Sequence, residues 1–115
     1  MPIASQDIRQ LSVGSTALPW AGNLDKTLDA GETVTGVSIA CLKVATVTTE
    51  ISVSSVAAST GSLIIKRETV TAGRAIQCIV NAATAVAGTM YTLRATITTS
   101  ATTRVEIIDY YLEAV

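Results

Sequence analysis

The feature that most restricts the fold of this chain is a two-residue alternation of apolar and polar side chains in short runs. It is clearest in Met90–Thr99, where apolar residues fall at every second position from Tyr91 onward and polar residues fill the positions between them. Side chains of a β-strand point alternately to opposite faces, so this period predicts a strand with one buried face. No helix of ordinary length is predicted, apart from a turn near Ser5–Leu11.

Four further runs rich in β-forming residues predict strands of similar length. They are Thr33–Ile39, Val44–Val53, Leu63–Val70 and Ala75–Val80, the last with Ile76, Cys78 and Val80 facing inward. Glycine-containing turns such as Ala30-Gly31 and Ala72-Gly73 separate these runs. Short strands at intervals of about 8–12 residues, with turn signals between them, predict a β-sandwich or a barrel.

The length of the chain, 115 residues, allows one domain with a core of ordinary size. The first twenty residues have weak periodicity and include Pro2 and Pro19. We therefore predict an N-terminal arm over residues 1–20, with or without an edge strand, and a β-sandwich domain over residues 21–115.

Composition excludes several classes of partner. Apolar residues make up 49% and charged residues only 15% of the chain, which indicates a surface that is covered in the working state. A net charge of −1 predicts no nucleic-acid partner. The longest apolar stretch, Val37–Val47, is interrupted by polar residues and predicts no membrane span. The start of the chain does not resemble a signal peptide, so we expect synthesis in a cytosol.

The residue types needed for common catalytic sites are missing. The chain has no histidine, which removes the Ser-His-Asp triad and the HExxH zinc motif. Cys41 and Cys78 alone cannot supply the usual four ligands of zinc, and buried thiols are a commoner state for them in a cytosol than a disulfide. Gly31–Gly36 starts like a phosphate-binding loop, but Val37 replaces the required lysine. We predict no catalytic, cofactor-binding or metal-binding residues, and hence no enzyme.

The C-terminal run Val105–Leu112 is apolar on both faces, whereas a half-exposed antiparallel strand should alternate. A bulge in an ordinary core strand and a partner subunit that covers the second face both explain this pattern. Trp20 either closes the end of the sandwich or docks on a neighbour, and aromatic residues are enriched at interfaces. The interface candidates are Trp20, Ile107, Ile108, Tyr110, Tyr111 and Leu112.

A stretch in the C-terminal half resembles a hairpin of a known family. The run AGTMYTLRATITTS at residues 87–100 is similar to the AGTxYxVxxxITTS hairpin of small Ig-like phage proteins of the fibre–tail adaptor type. Upstream, GETVTG at residues 31–36 resembles the GETIT start of an early strand in that family. The resemblance implies an all-β fold, an antiparallel Ig-like β-sandwich of about seven to eight short strands with an extended N-terminal arm.

Three residues of this hairpin are predicted to determine the fold and not to bind a partner. Gly88 makes the turn, and Tyr91 opens the strand that follows it. The hydroxyl of Tyr91 can bond to the backbone upstream, as in the tyrosine corner of Ig-like sandwiches. Leu93 continues the buried face of the same strand.

The resemblance implies a non-enzymatic structural component of a tailed-phage virion, an adaptor that links the tail or neck to a fibre or to neighbouring subunits. The expected partners are other virion proteins of the tail, neck, fibre or capsid, and further copies of the chain in a ring or about a symmetry axis. The expected location is the virion, after synthesis in the cytoplasm of the bacterial host. Two alternatives are a capsid decoration (cement) protein of the same fold and a carbohydrate- or surface-binding adhesion module. An aromatic content of 3% argues against the adhesion module.

Overall fold

Strands follow one another along the chain with no helix between them throughout residues 3–101 and 104–115, which a computed structural model describes. Their side chains are described from residue 8 onward. The strands are β1 Ile3–Leu11, β2 Leu18–Asn23, β3 Val34–Lys43, β4 Thr46–Val47, β5 Ser52–Ala58, β6 Leu63–Ile65, β7 Glu68–Val70, β8 Ala75–Asn81, β9 Met90–Thr99 and β10 Val105–Ala114. The all-β prediction is confirmed. No helix long and apolar enough to span a membrane occurs among these residues.

The larger sheet, sheet A, has the strand order β1-β10-β9-β3-β4. Its central strand β9 pairs antiparallel with β3 on one side and with β10 on the other. The alternation predicted for Met90–Thr99 is confirmed, because one face of this strand is fully buried through Tyr91, Leu93, Ala95 and Ile97. Each large apolar side chain buried in this way stabilises the fold by roughly 1.5–3 kcal/mol.

The edge strand β1 pairs with β10 in parallel, so the sheet is not antiparallel throughout as expected. The register of the two strands shifts between Ala4 and Ile8, which places extra residues in β1. Residues 3–11 of the predicted arm thus form an edge strand, and the turn predicted near Ser5–Leu11 is wrong because its backbone pairs with β10. The next strand, β2, begins at Leu18, so the predicted arm also reaches into the second sheet. Residues 1 and 2 lie outside the described residues.

The smaller sheet, sheet B, has the order β2-β8-β5 and is antiparallel. Its central strand β8 buries Ile76, Cys78 and Val80, as predicted. These side chains form one core with those of β9 in sheet A, so the two sheets pack as the layers of a sandwich. The register of β5 shifts between Ser54 and Ala57, where the strand bends.

Two tight turns occupy residues that were predicted to lie in strands. Val44 and Ala45, with φ of 48° and 62°, turn the chain from β3 into β4, so the run predicted from Val44 is wrong at its start. Lys66 and Arg67, with φ of 49° and 68°, divide Leu63–Val70 into the hairpin β6–β7. Two consecutive positive φ values are typical of a type I′ turn, which usually contains Asn or Gly. Neither turn has these residues, so the sequence gives no signal for them.

Candidate docking groove beside the β6–β7 hairpin

The β6–β7 hairpin stands beside the outer face of sheet B, and a groove of about 440 Å³ lies between them. Trp20 pairs with Cys78, and both side chains lie on the core side of the sheet. The neighbouring pairs, Pro19 with Ile79 and Ala21 with Gln77, therefore point outward. The groove is lined largely by aliphatic side chains of the outer face and the hairpin: Pro19, Ala21, Ile79, Leu63, Ile64 and Ile65. Ile64 is 77% exposed, which is unusual for so large an apolar side chain. The groove is therefore an apolar surface open to a partner.

A neighbouring part of the groove, of about 570 Å³, follows the edges of two strands. It is lined by Ile8–Gln10 of β1 and by Ile64–Lys66, with Ala21 between them. Successive side chains of a strand point to opposite faces of a sheet. A cavity that is lined by three consecutive residues of a strand therefore lies along the backbone edge of that strand and not on one face. Within the described part of the chain, β1 pairs with β10 alone and β6 with β7 alone. Unpaired backbone N–H and C=O groups therefore border this part of the groove.

Two basic side chains line the groove, and two more follow nearby in the sequence or in an adjoining cavity. Arg9 lines both parts of it, Lys66 lines the second part, and Arg67 follows at the tip of the hairpin. Lys26 lies farther along, in a cavity that it shares with Lys66. Among residues 8–101 and 104–115, no carboxylate forms an ion pair with Arg9, Lys26 or Arg67, whereas acidic partners are present for Lys43, Arg74, Arg94 and Arg104. The groove therefore has a positive rim.

The six predicted interface residues fall into two groups. Four have side chains buried in the core of the chain itself: Trp20, Ile108, Tyr110 and Leu112. Two are half-buried on the outer face of sheet A: Ile107 and Tyr111. The rings of Trp20 and Tyr110 pack edge to face, with centroids 4.8 Å apart and planes at 75°. Trp20 also lines the groove from the sheet side.

Strand β10 keeps a regular register with β9 over the whole of their pairing, from Val105 to Glu113. The bulge considered for this strand is therefore wrong, and the extra residues lie in β1 instead. The buried Asp109 in its apolar run accepts two hydrogen bonds from Arg94, at 2.8 and 3.0 Å. Cover of the outer face by a partner subunit stays a prediction.

Tyr91 forms the upstream hydrogen bond that was expected of it. Its hydroxyl accepts a hydrogen bond from the backbone N–H of Val86 at 2.9 Å and donates one to Glu50 Oε1 at 2.7 Å. This hydrogen bond, together with Lys43 Nζ at 3.0 Å from Glu50 Oε2, lowers the pKa of Glu50. Gly88, at φ +84°, makes the turn between Val86 and Tyr91. These contacts hold the loop before β9 on the core.

A second polar cluster fixes the loop between β2 and β3. The carboxylate of Glu32 accepts hydrogen bonds from the Thr99 hydroxyl, the Asp29 N–H and Arg104 Nη1. The hydrogen bond from Thr99 is the main reason that the pKa of Glu32 is lowered. Arg74 donates hydrogen bonds to the Asp25 carboxylate and to four backbone carbonyls of the same loop. The cluster is saturated by its own chain, so we assign it to stability and not to ligand binding.

Cys41 and Cys78 are both buried and neither is in a disulfide, so the buried-thiol interpretation is confirmed. Burial raises the pKa of both thiols, that of Cys78 to about 12 with a smaller contribution from Cys41. Thiols in this state are protonated at ordinary pH and react slowly. Among the described residues, no three His, Cys, Asp or Glu side chains are placed to hold a metal ion together.

Comparison of the chain with family models, with curated proteins and with solved structures found no match. The proposed function therefore rests on the geometry of the groove and on the sequence motifs at residues 31–36 and 87–100. Sequence reasoning missed Arg9, Leu63, Ile65 and Ile79 as groove residues. The Ile64-Ile65-Lys66-Arg67 run, apolar and then basic, is a signal for the hairpin side of the groove alone.

Proposed function

We propose that this chain is a non-enzymatic structural subunit of a tailed-phage virion, an adaptor that joins the tail or neck to a fibre or to neighbouring subunits. The observation that carries the proposal is the apolar groove bordered by the unpaired edges of β1 and β6. Backbone groups along such edges pair with a strand of another protein, and this mode of binding suits permanent assemblies.

We infer further that the sandwich is Ig-like. The strands of the immunoglobulin fold are named by letters. In sheet B, the order β2-β8-β5 matches the order B-E-D of that fold. In sheet A, the order β4-β3-β9-β10 matches C′-C-F-G. The hydroxyl of Tyr91, at the start of the strand in the F position, bonds upstream as a tyrosine corner does, which supports the same assignment. β1 lies beside β10 and not in the sheet of β2, unlike the first strand of a constant-type domain.

The β6–β7 hairpin is then an insertion between the D and E positions of the sandwich. Its strand β6 contacts β2, and Val70 at the end of β7 is fully buried, so the hairpin is anchored to the scaffold at its base. Insertions on a rigid sandwich commonly carry binding functions. The hairpin forms one side of the groove, which supports a role in binding a partner.

The lining of the groove supports a protein partner over a carbohydrate. Sugar-binding grooves present exposed aromatic rings against the faces of sugar rings. The aromatic residue that lines the 440 Å³ part of this groove is Trp20, which is only 6% exposed. Aliphatic side chains fill the rest of its apolar lining, and these match the side chains of a β-strand.

Electron cryo-microscopy of the virion that contains this chain tests the proposal. We expect density at the tail or neck, in a ring or about a symmetry axis, with β1 and β6 against a neighbouring protein. Density distributed over the capsid lattice would contradict the adaptor role and indicate a decoration protein of the same fold. Absence of the chain from purified virions, measured by mass spectrometry, would overturn both roles and leave the adhesion module.

A further inference from the structure

We propose that the groove binds an extended, acidic, β-branched segment of a partner protein, which adds a strand between β1 and β6. This inference rests on the proposed function and specifies the chemistry of the partner. Three features of the groove carry it: unpaired backbone on two sides, an aliphatic lining and a positive rim.

The backbone edges determine the conformation of the segment. β1 and β6 each present three consecutive residues to the same cavity, so hydrogen-bonding groups are available on both sides of it. A helix satisfies its own backbone groups and cannot use these edges. The lining also follows β2 from Pro19 to Asn23, which corresponds to about five residues of an extended segment at roughly 3.3 Å each.

The lining determines which side chains the segment presents inward. The small side chain of Ala21 lies between the two edges, while Leu63, Ile65 and Ile79 give the groove an aliphatic surface. Every second side chain of an added strand points to this surface, where Val, Ile or Thr fits the available space. Ile64, at 77% exposed, would be covered by the same segment.

The rim determines the charge of the segment. Arg9 lines both parts of the groove, and Lys26 lines an adjoining cavity that shares Ile65 and Lys66 with the second part. Glu68, which accepts a hydrogen bond from Asn23 at 3.2 Å, lines the same adjoining cavity, where two lysines outnumber it. Complementary charge selects an acidic partner over a basic one and increases the association rate.

A different protein fits the groove better than a second copy of this chain. Acidic and β-branched runs of the chain itself, such as Glu106–Asp109 in β10 and Glu68–Val70 in β7, are already paired in its own sheets. A second copy would have to release such a strand from its own sheet before it could supply the segment.

Selection from a random octapeptide library on the immobilised full chain tests the inference. We expect the enriched peptides to carry Asp or Glu at positions alternating with Val, Ile or Thr. Arg9→Glu should weaken the best of these peptides at least about tenfold and shift selection toward basic peptides. Ile64→Thr should weaken them several-fold, while Val47→Thr, at a β4 residue that is 75% exposed and does not line the groove, should leave binding unchanged.

Three results would overturn the inference: no enrichment over a blank surface, enrichment without an acidic bias, or binding that Arg9→Glu leaves unchanged. Enriched peptides that match the strands of this chain would also contradict it, in favour of a second copy. Circular dichroism of each variant verifies folding, which the exposed positions of Arg9 and Ile64 favour. A chain found in virions that selects no acidic peptide disproves this inference alone, whereas absence from virions disproves the proposed function.

Discussion

Two buried tyrosines of this protein have hydroxyl groups in opposite situations. The Tyr91 hydroxyl takes part in two hydrogen bonds, one from Val86 and one to Glu50. The Tyr110 hydroxyl is also buried, but no described residue bonds to it, and burial raises the pKa of Tyr110. The same Tyr→Phe change at both positions keeps the ring and removes the hydroxyl. It therefore compares the contribution of a bonded hydroxyl with that of an unbonded one.

We expect Tyr91→Phe to lower the free energy of unfolding by about 1–3 kcal/mol, because the Val86 N–H and Glu50 lose a partner in a covered site. Tyr110→Phe should leave the free energy unchanged or raise it by up to about 1 kcal/mol, since it removes a polar atom without a partner. Urea denaturation of the two variants measures both values. A free energy of unfolding that Tyr91→Phe leaves unchanged would show that Tyr91 acts through its ring alone.

Arg74 provides a second prediction at the scale of one residue. Its five hydrogen bonds join the start of β8 to the loop between β2 and β3. Arg74→Lys should lower the free energy of unfolding by about 1–3 kcal/mol, because an ammonium group cannot reproduce the planar set of donors. Arg67→Lys, at the exposed hairpin tip, is the control and should change it by less than about 0.5 kcal/mol. Similar values for the two variants would contradict the role of Arg74.

At the scale of strands, the sequence predicts the elements whose period is set by one buried face. β9 and the inward residues of β8 match their predictions because the core covers every second side chain. β1 was not predicted as a regular strand, because its pairing with β10 is shifted and local periodicity is lost. The turns at Val44-Ala45 and Lys66-Arg67 were missed because β-forming or basic residues occupy positions that usually hold Asn or Gly.

These two turns form a matched pair for a prediction on stability and binding. Replacing either Val44-Ala45 or Lys66-Arg67 by Asn-Gly should raise the free energy of unfolding by up to about 1 kcal/mol, since Asn and Gly accept positive φ readily. Only the change at Lys66-Arg67 removes positive charge from the rim of the groove. We therefore expect only that variant to lose affinity for acidic peptides, as measured by calorimetry. Equal affinity of the two variants would exclude the hairpin tip from binding.

The groove itself could not be predicted from the sequence. Its residues come from β1, β2, β5, β6 and β8, which are distant in the chain and belong to three different sheets. Of the six predicted interface residues, only Trp20 lines the 440 Å³ part, and its side chain is mostly in the core. Aromatic and apolar residues indicate that a surface will be buried, but the sequence does not show whether the chain's own core or a partner buries it.

At the scale of the whole molecule, the two layers of the sandwich each contribute one buried thiol to a common core. Cys41 belongs to β3 in sheet A and Cys78 to β8 in sheet B, and both are members of the same apolar cluster. Neither thiol can ionise readily in the native state, because burial raises both pKa values. The rate at which these thiols react therefore measures how often the core opens.

We expect both thiols to resist a disulfide reagent in the native protein and to react only as fast as the protein unfolds. The stability of the protein should fall as the pH rises from about 8.5, where unfolded thiols ionise, toward about 12, where Cys78 ionises in the native state. Unfolding measured between these pH values should show a weaker pH dependence in Cys78→Ala. Rapid labelling of the native protein at neutral pH would contradict the burial of the thiols.

The parallel pairing of β1 with β10 connects the first and the last strand of the sandwich and therefore affects the order of events during translation. β1 is synthesised before the other nine strands that the structure describes, and its partner β10 is synthesised after them. Contacts between such distant segments form slowly, because a long stretch of chain has to be ordered before they can be made. During synthesis, the backbone of β1 therefore stays unpaired until β10 has been made.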